Sequence, residues 1–179
     1  MTHEIVFAGF GGQGVLSMGQ VLAYAGMIEN KEICWLPSYG PEMRGGTANC
    51  VTIVSDSKIS SPILARYDTV VALNQPSLDK FEATIKPGGL LLYDSTNIIN
   101  KPKRTDIEVL AIPASEEAAK LKNMRVLNMI VLGTLLKKRA IVRSDSVLAA
   151  LRKVLPERYH HLISLNEEAL RLGASLAVH

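Results

Sequence analysis

The sequence predicts one α/β domain over residues 1–179, built on a doubly wound, mostly parallel, Rossmann-like sheet with a helical C-terminal third. Short apolar runs alternate with helical patterns through the first part of the chain, which is typical of a parallel sheet covered on both faces. A glycine-rich turn joins the first apolar run to the first helical pattern. Beyond the last apolar run the pattern is helical, and we expect those helices to pack on the sheet.

The predicted strands are short runs, either continuously apolar or alternating, that are bounded by polar or turn-forming residues. Alternation in the third run places Asn49, Val51 and Ile53 on one face. Pro87-Gly88-Gly89 predicts a turn immediately before the fifth run. The runs cover residues 5–8, 32–36, 48–54, 69–73, 90–93 and 109–112.

The predicted helices cover residues 13–28, 76–83, 115–122, 126–139 and 145–154, followed by a last helix that ends at Leu176. Residues 126–136 are apolar almost all round, which indicates a core helix or, alternatively, an interface helix. In the last helix, apolar residues recur at 3-4-3-4 spacing and form an amphipathic seam of Leu162, Leu165, Ala169, Leu172 and Leu176.

Composition and charge argue against several classes of protein. A net charge of +3 is too small by itself to indicate nucleic-acid binding. No run approaches the roughly 18 apolar residues that a membrane helix needs, and the residues after Met1 lack the basic region of a signal peptide. We therefore expect a protein of the reducing cytoplasm that contacts neither nucleic acid nor membrane.

The cysteines and histidines limit the cofactors that this chain can hold. Its two cysteines, Cys34 and Cys50, lie in predicted strands, where we expect small buried hydrophobic side chains. Iron–sulfur clusters usually take about four thiolates, so this chain alone lacks the ligands for a standard cluster. The four histidines show no ligand spacing with cysteines or carboxylates, and we predict no metal site.

The motif FAGFGGQGV, residues 7–15, runs from a strand through a glycine turn into a helix and fits the pattern G-x-G-x-x-G. Glycine lets the backbone turn tightly and approach a ligand, and free amides at a helix start favour an anion. Gln13 adds a side-chain donor. The predicted phosphate-binding residues are Gly9, Gly11, Gly12, Gln13 and Gly14, together with Asn49 at a strand end.

The remainder of a nicotinamide-binding fingerprint is missing. Such a site needs an acidic residue at the end of the second strand. Here the residues from Cys34 to Tyr39 contain no carboxylate, and the first to follow is Glu42. Three interpretations stay open: glycines that serve only strand–helix packing, an NAD or FAD site, and close approach of a phosphate-bearing ligand or a partner subunit.

A second motif, PSYGPEMRGGTANC at residues 37–50, follows the second strand and should project from the same carboxyl edge as the glycine turn. Tyr39, Glu42, Met43 and Arg44 form a mixed set that is typical of an interface anchor. Arg44 is suited to a phosphate or a carboxylate. The alternative is a surface Glu–Arg pair of little energetic consequence.

Together, GFGGQGV at residues 9–15 and SYGPEMRGGTANC at residues 38–50 resemble the gamma subunit of 2-oxoacid:ferredoxin oxidoreductases. The likeness is to the 2-oxoglutarate or 2-ketoisovalerate type, and the gamma domain of pyruvate:ferredoxin oxidoreductase is similar. The resemblance covers nearly the full chain and includes KPGGLLLYDS at residues 86–95 and LNMIVLGTLL at residues 127–136.

The resemblance implies a complex that converts a 2-oxoacid and coenzyme A into acyl-CoA, carbon dioxide and reduced ferredoxin. Thiamine diphosphate, Mg and iron–sulfur clusters then belong to alpha, beta and ferredoxin-like partner subunits, and this chain carries no catalytic residue and no cofactor of its own. Its glycine turn and Asn49 frame the approach of coenzyme A, and Tyr39, Glu42, Met43 and Arg44 dock on the partner. In isolation the chain is a candidate homodimer.

Two other functions stay open. One is the small subunit of indolepyruvate ferredoxin oxidoreductase, which shares the glycine motif and differs mainly in its partner. The other is a stand-alone nucleotide-binding oxidoreductase, against which the missing ribose carboxylate argues.

Several further polar residues have ordinary structural explanations. Asn74 is expected to form a turn before Gln75-Pro76, and Asp94-Ser95-Thr96 is expected to form a turn or a helix cap. The basic runs at residues 101–104 and 137–139 are expected to be solvated surface, and the alternative is that they attract the adenosine phosphates or an acidic ferredoxin.

Overall fold

The structure, a computed structural model, describes residues 1–38 and 47–178. Within them, one six-stranded sheet has the order β2-β3-β1-β4-β5-β6. Every predicted run is a strand, and most extend beyond the predicted limits. The strands are β1 (Thr2–Phe10), β2 (Glu32–Ser38), β3 (Thr47–Ser55), β4 (Tyr67–Ala72), β5 (Ile85–Asp94) and β6 (Glu108–Ile112).

The strand directions confirm a mostly parallel sheet with one reversed strand. β1, β4, β5 and β6 pair in parallel. β3 is antiparallel to both of its neighbours, β1 and β2, so β2 runs in the same direction as β1. The second and third strands are therefore antiparallel neighbours, unlike the parallel strands of the βαβ units in a regularly doubly wound sheet.

The helices cover the two faces of the sheet unequally. They are α1 (Val15–Ile28), α2 (Gln75–Phe81), α3 (Ala114–Lys120), α4 (Leu127–Lys138), α5 (Ser144–Val154) and α6 (Ile163–Leu176), with 3-10 turns at Met124–Val126 and Glu157–Leu162. α1 and the helices of the C-terminal third share one apolar core with the sheet. α2 packs in a smaller core on the other face.

β1 contributes alternate side chains to both apolar cores. Ile5 and Phe7 point into the larger core and Val6 and Ala8 into the smaller one, and none is more than 1% exposed. A strand covered on both faces has no polar face, which explains its continuous apolar run. Along α4, every residue from Met129 to Leu136 is buried, which confirms the prediction of a core helix.

Three local predictions need correction. Pro87-Gly88-Gly89 lies inside β5: β4 advances two residues from Tyr67 to Thr69 while β5 advances five from Ile85 to Leu90. The extra residues form a bulge at which Gly88 has a φ of 76°. Leu162 lies in a 3-10 turn before α6, so the seam in that helix begins at Leu165. Cys50 is buried as predicted, whereas Cys34 on the edge strand is only partly buried.

α4 and α6 cross at a pair of glycines. A methyl group added to Gly133 would overlap the carbonyl group of Leu170, and one added to Gly173 would overlap that of Ile130. The buried Thr134 hydroxyl donates to the carbonyl oxygen of Gly173 at 2.7 Å and so joins the two backbones. This close crossing fixes α6, and with it the outer layer of the helical third.

We expect Gly133→Ala to lower the free energy of unfolding by roughly 1–3 kcal/mol, because the new methyl group forces the two backbones apart. Denaturant unfolding followed by circular dichroism measures the effect. Ser164→Ala, at an exposed position of α6, is the matched control and should change stability little. Equal stability of the two variants would contradict the close crossing.

Glu29 ties the end of α1 to the start of α5. Its Oε1 accepts hydrogen bonds from the Arg143 amide and the Ser146 hydroxyl, both at 2.7 Å. Burial opposes ionisation and is the largest single influence on the carboxyl, but these hydrogen bonds outweigh it and the pKa of Glu29 lies below its ordinary value of 4.5. The charged form is therefore the one that stabilises the fold.

Because the folded-state pKa of Glu29 is depressed, its contribution is complete above pH 4.5 and is lost as the pH falls through the lower, folded-state value. We expect Glu29→Gln to lower the free energy of unfolding by roughly 1 kcal/mol at pH 7 and by less at low pH. Urea unfolding at several pH values tests this. Glu168→Gln, at an exposed position of α6, should leave the pH profile unchanged, and a constant effect of Glu29→Gln at all pH values would contradict the assignment.

Candidate functional site

The strand register brings both sequence motifs to one edge of the sheet. Phe10, at the end of β1, pairs with Thr47, and Ala8 pairs with Asn49. Asn49 in turn pairs with Ser38, the last residue of β2. Ser38 and Thr47, the residues that flank the segment 39–46, therefore lie at the same edge as the glycine turn, as the sequence predicts. The predicted interface residues Tyr39, Glu42, Met43 and Arg44 lie outside the described residues.

The glycine turn needs glycine at two of its positions. Gly12 has a φ of 90° and Gly14 a φ of 77°, a region that side chains disfavour. Gly14 is the N-cap residue of α1, and no side chain caps the helix there. Next to it, the Gln13 amide donates to the Phe10 carbonyl at 3.3 Å and closes the turn.

Gln13 and Gly9 shape the glycine turn through the hydrogen bonds and the close packing of the Gln13 side chain. The Gln13 side chain accepts from the Phe10 amide at 2.6 Å and donates to the Leu73 carbonyl at 3.3 Å, so it joins the ends of β1 and β4. A Cβ on Gly9 would lie 2.6 Å from the Gln13 Oε1 atom, which explains why this position has no side chain. The predicted contact of both residues with a ligand stays a prediction.

The backbone amides at the start of α1 have the arrangement that favours an anion. The first-turn amides, those of Val15, Leu16 and Ser17, have no acceptor within the helix, because each would need a carbonyl four residues earlier inside it. With the helix dipole they form a positive end. Ser17 is exposed at this end, so a bound anion can reach it.

Two hollows flank the turn. The strand-side cleft, about 310 Å³, lies between the turn and the start of β3 and is lined by Phe10, Gly11, Gly12, Gly14, Val15, Leu16, Ser17 and Ala48. The helix-side cavity, about 400 Å³, lies between the turn and the helical third. Gly12, Gly14 and Ser17 line both hollows, so the same amides serve either one.

Asn49 lies on the other face of the sheet from α1. The Thr52 hydroxyl donates to the Gly19 carbonyl in α1 at 3.2 Å, and the Cys50 thiol donates to that of Val15 at 3.4 Å. Residues 50 and 52 therefore face α1, and Asn49 points the opposite way. It lines neither hollow, and its predicted part in ligand binding stays a prediction.

The sequence analysis missed the residues that make the helix-side cavity polar. Besides the turn they include Ser17, Gln20, Arg125, Asn128 and Tyr159. Asn128 is the one polar residue with a sequence signal, because it interrupts the otherwise apolar start of α4. The others come from segments far apart in the chain, which local patterns do not connect.

Other polar groups at the carboxyl edge are structural, as predicted. The Asn74 side chain accepts from the Ser77 amide at 2.8 Å and caps α2. Asp94, fully buried, accepts from the amides of Thr96 at 3.1 Å and Ser115 at 3.3 Å. Away from this edge, Lys138 and Arg139 of the basic run at 137–139 pair at the surface with the part-exposed Glu108.

Among the described residues, this edge presents neither a reactive thiol nor a cluster of metal ligands. Burial raises the pKa of Cys50 to about 12, so its thiol stays protonated and is a poor nucleophile. In residues 1–38 and 47–178, no cluster of three or more His, Cys, Asp or Glu side chains is placed to hold a metal ion. The helices of the same residues are too short or too polar to cross a membrane.

The reversed strand also removes the geometry of a nicotinamide site. In such sites a carboxylate at the end of the strand next to β1 holds the ribose. Here the strand in that place is β3, which is antiparallel to β1 and therefore presents its first residues at the carboxyl edge. These are Thr47, Ala48 and Asn49, none of them acidic.

Fold and site together define the class: a Rossmann-like α/β domain whose glycine turn suits an anion and whose described residues lack the ribose-binding carboxylate of NAD proteins. The chain belongs to the pyruvate ferredoxin/flavodoxin oxidoreductase family, whose family model matches residues 4–176. The resemblance inferred from the two sequence motifs is therefore confirmed at the level of the family.

Known proteins similar to this chain differ in length. The ketoisovalerate oxidoreductase subunit VorA of Methanothermobacter thermautotrophicus is 43% identical over 133 residues, which are 74% of this chain and 28% of VorA. The keto/oxoacid ferredoxin oxidoreductase gamma subunit of Geobacter sulfurreducens is similar in structure, with a TM-score of 0.82, 29% identity and 98% of each chain covered.

A third similar protein is a 2-oxoglutarate:ferredoxin oxidoreductase from Magnetococcus marinus, whose structure has 2-oxoglutarate, coenzyme A and succinyl-CoA bound. The TM-score is 0.89 and the identity 26%, over 98% of this chain and 31% of that one. This chain thus spans less than a third of both VorA and the Magnetococcus chain.

We expect Gly14→Ala to destabilise the fold more than Gly12→Ala. Both substitutions place a side chain at positive φ, which costs about 1–2 kcal/mol. A Cβ at Gly14 would in addition lie 3.0–3.2 Å from Asn128, whereas one at Gly12 would meet no atom of residues 1–38 or 47–178 within 4 Å. Thermal unfolding measures both, and adding Asn128→Ala should recover part of the stability only in the Gly14 variant. An equal gain in both variants would contradict the contact.

Proposed function

We propose that this chain is the gamma subunit of a multisubunit 2-oxoacid:ferredoxin oxidoreductase. The observation that supports this most directly is its match in length and fold to the Geobacter gamma subunit, which it covers almost completely. The reaction is the conversion of a 2-oxoacid and coenzyme A into acyl-CoA and carbon dioxide, with the electrons passing to ferredoxin.

The chemistry of the chain supports an auxiliary role within that complex. Its two cysteines are too few for a standard iron–sulfur cluster, and the buried one stays protonated. As the family resemblance implies, thiamine diphosphate with Mg, and the clusters, would belong to alpha, beta and ferredoxin-like partner subunits. Cofactors of this kind carry the carbanion and electron-transfer steps, and the remaining task is to position the co-substrate.

Coenzyme A is the ligand that we propose for the glycine turn. Its diphosphate is an anion that suits the free amides at the start of α1, which no side chain caps. The Magnetococcus protein was seen with coenzyme A and succinyl-CoA, which makes the same co-substrate a reasonable choice here. The contacts proposed for it are those of Gly9, Gly11, Gly12, Gln13, Gly14 and Asn49.

The segment that follows β2 is the proposed docking element. Its ends, Ser38 and Thr47, lie at the same edge as the glycine turn. A partner that packs against Tyr39, Glu42, Met43 and Arg44 would therefore also border the coenzyme A site. This arrangement lets one surface complete the assembly and frame the co-substrate, and the chain joins a cytoplasmic complex.

Ser17→Asp tests the coenzyme A proposal in the assembled complex. The substitution places a negative charge where the diphosphate would bind, and we expect KM for coenzyme A to rise about tenfold, equivalent to ~1.4 kcal/mol. An acidic residue in the first turn of a helix stabilises that helix, so misfolding does not account for the loss. Ser17→Ala should change KM little, and KM for the 2-oxoacid should stay constant.

Two results would contradict the proposed function. An unchanged KM for coenzyme A in the Ser17→Asp complex would show that coenzyme A does not bind at the turn. Turnover of NAD(P)H by this chain purified alone would favour a stand-alone nucleotide-binding oxidoreductase instead.

Copurification tests the partners. A tagged chain should copurify with thiamine-binding subunits, and activity of that complex with indolepyruvate only would reassign it to the indolepyruvate enzyme.

A further inference from the structure

β2 is an edge strand with the sequence pattern of a covered one. Its apolar run, Ile33 to Pro37, is continuous, which is typical of strands that are packed on both faces. In the sheet, however, β2 lies at the end of the strand order, and the part of the chain that the structure describes buries none of its seven residues. The other edge strand, β6, alternates in the ordinary way between residues such as the exposed Val109 and the buried Leu110. Apolar side chains of β2 are therefore left partly open to solvent.

The side chains of β2 point alternately to the two faces of the sheet. Trp35 lies on the α1 face, because its partner across the strands is Thr52, whose hydroxyl bonds to α1. Leu36 lies on the opposite face, since it pairs with Val51 and Val51 pairs with Val6 of the smaller core. α2, the helix of that face, packs on β1 and β4. The row from Val6 to Leu36 thus emerges from beneath α2, and exposure rises from 0% at Val6 to 41% at Leu36.

The β2 patch, defined as Cys34, Leu36 and Val51, is apolar and carries no charge. Cys34 shares the face of Leu36, because the two are alternate residues of one strand, and Cys34 and Val51 are both partly buried. Toward the carboxyl edge its neighbours are Ser38 and Asn49, uncharged polar residues that pair with each other. An apolar centre with a polar rim is typical of a protein–protein contact. Since the patch offers no charge to an ionic ligand, its partner should present an uncharged, apolar surface.

Two features argue against a second copy of this chain as the occupant of the β2 patch. Two copies would join most directly by pairing their β2 edges, but β2 contains Pro37, and proline, which has no N–H, is typical of edge strands that no further strand extends. The patch is also small: three partly covered side chains cannot supply the ~800 Å² per partner that a stable interface buries. The contact must therefore continue onto neighbouring surface.

The surface next to the β2 patch favours a different subunit. Ser38 and Thr47 flank segment 39–46, the proposed docking element, and Ser38 follows Leu36 closely in β2. A subunit seated on that segment therefore reaches the patch by extending along β2. VorA and the Magnetococcus chain hold the part that this chain matches within a much longer polypeptide, so in those proteins a neighbour other than a second copy is available.

We infer that a partner subunit of the complex covers the β2 patch by packing an uncharged, apolar surface on Leu36. This inference rests on the proposed function, and it extends the proposed docking surface from segment 39–46 onto the face of the sheet opposite α1.

Leu36→Lys in the assembled complex tests the inference. The substitution places an unpaired charge in the contact, and we expect the Kd of this chain for the other subunits to rise by about tenfold or more. Dilution of the purified complex, followed by size-exclusion chromatography, measures the Kd. Val109→Lys is the matched control and should leave the Kd unchanged. Val109 is also 41% exposed and lies on the same face at the opposite edge of the sheet, where it pairs with Leu91 of the smaller core.

Cys34 tests the contact without a change to the patch, and so covers the case in which Leu36→Lys does not fold. We expect alkylation of Cys34 by iodoacetamide to be about tenfold slower in the complex than in the free chain, because a covered thiol reacts slowly. Mass spectrometry of this chain measures the rate. Cys50 is fully buried, with a pKa of about 12, and should not compete. Val109→Cys supplies a control thiol, which should react equally fast in the complex and in the free chain.

The outcomes separate this inference from the proposed function. If the chain copurifies with thiamine-binding subunits, but Leu36→Lys weakens the complex no more than Val109→Lys does, only the inference is overturned. The same holds if Cys34 reacts equally fast with and without the partners. If the chain does not copurify with those subunits, both fail. If the chain alone sediments as a dimer that Leu36→Lys dissociates, while the Kd for the other subunits stays constant, a second copy covers the patch and the inference is overturned.

Discussion

The antiparallel pairing of β1 with β3 is the constraint on which the candidate site depends. It runs without a break from Thr2 opposite Ser55 to Phe10 opposite Thr47. Because a strand's side chains alternate, a slip of one residue would turn Cys50 and Thr52 away from α1 and break their contacts with it. The register is therefore fixed by burial, and the same register brings the start of β3 to the glycine turn. Core packing thus fixes the register of β1 and β3, and that register determines which residues lie at the candidate ligand-binding edge.

In the glycine turn, some polar groups hold the fold together and others remain available to a ligand. The side-chain amide of Gln13 bonds both the Phe10 N–H and the Leu73 carbonyl, and so it holds the ends of two parallel strands together. That leaves the backbone amides at the start of α1 as the groups that are free of partners inside the helix. Amides held in place by neighbouring strands lose little freedom when an anion binds, which is the advantage of preorganisation.

Local patterns predicted the strands and helices because each run carries its own evidence. β1 is apolar on both faces, α4 is apolar all round, and Gly12 and Gly14 mark the turn. The reversed direction of β3 was not predictable in this way, since an alternating strand looks the same whichever way its neighbour runs. The bulge at Pro87-Gly88-Gly89 was read as a turn for the same reason: the residues that permit one also permit the other.

The candidate site was predictable only where it is continuous in sequence. The turn was predictable, and so was its position at the same edge as Ser38, because β1 and β2 run in the same direction in one sheet. The helix-side cavity was not found, because its walls come from α1, the start of α4, the end of α5 and the turn before α6. No periodicity links Ser17 to Asn128 or to Tyr159, and only tertiary packing brings them together.

The helical third therefore does more than cover the sheet. α6 is held against α4 by the glycine crossing and by the hydroxyl of Thr134, and α5 is held to the end of α1 by Glu29. Both attachments fix walls of the helix-side cavity relative to the start of α1. A change that loosens either one would widen the cavity without touching a residue that lines the turn. The affinity of any ligand in this cavity would then depend on the stability of the outer helices through geometry alone, and substitutions in α6 far from the turn would change it.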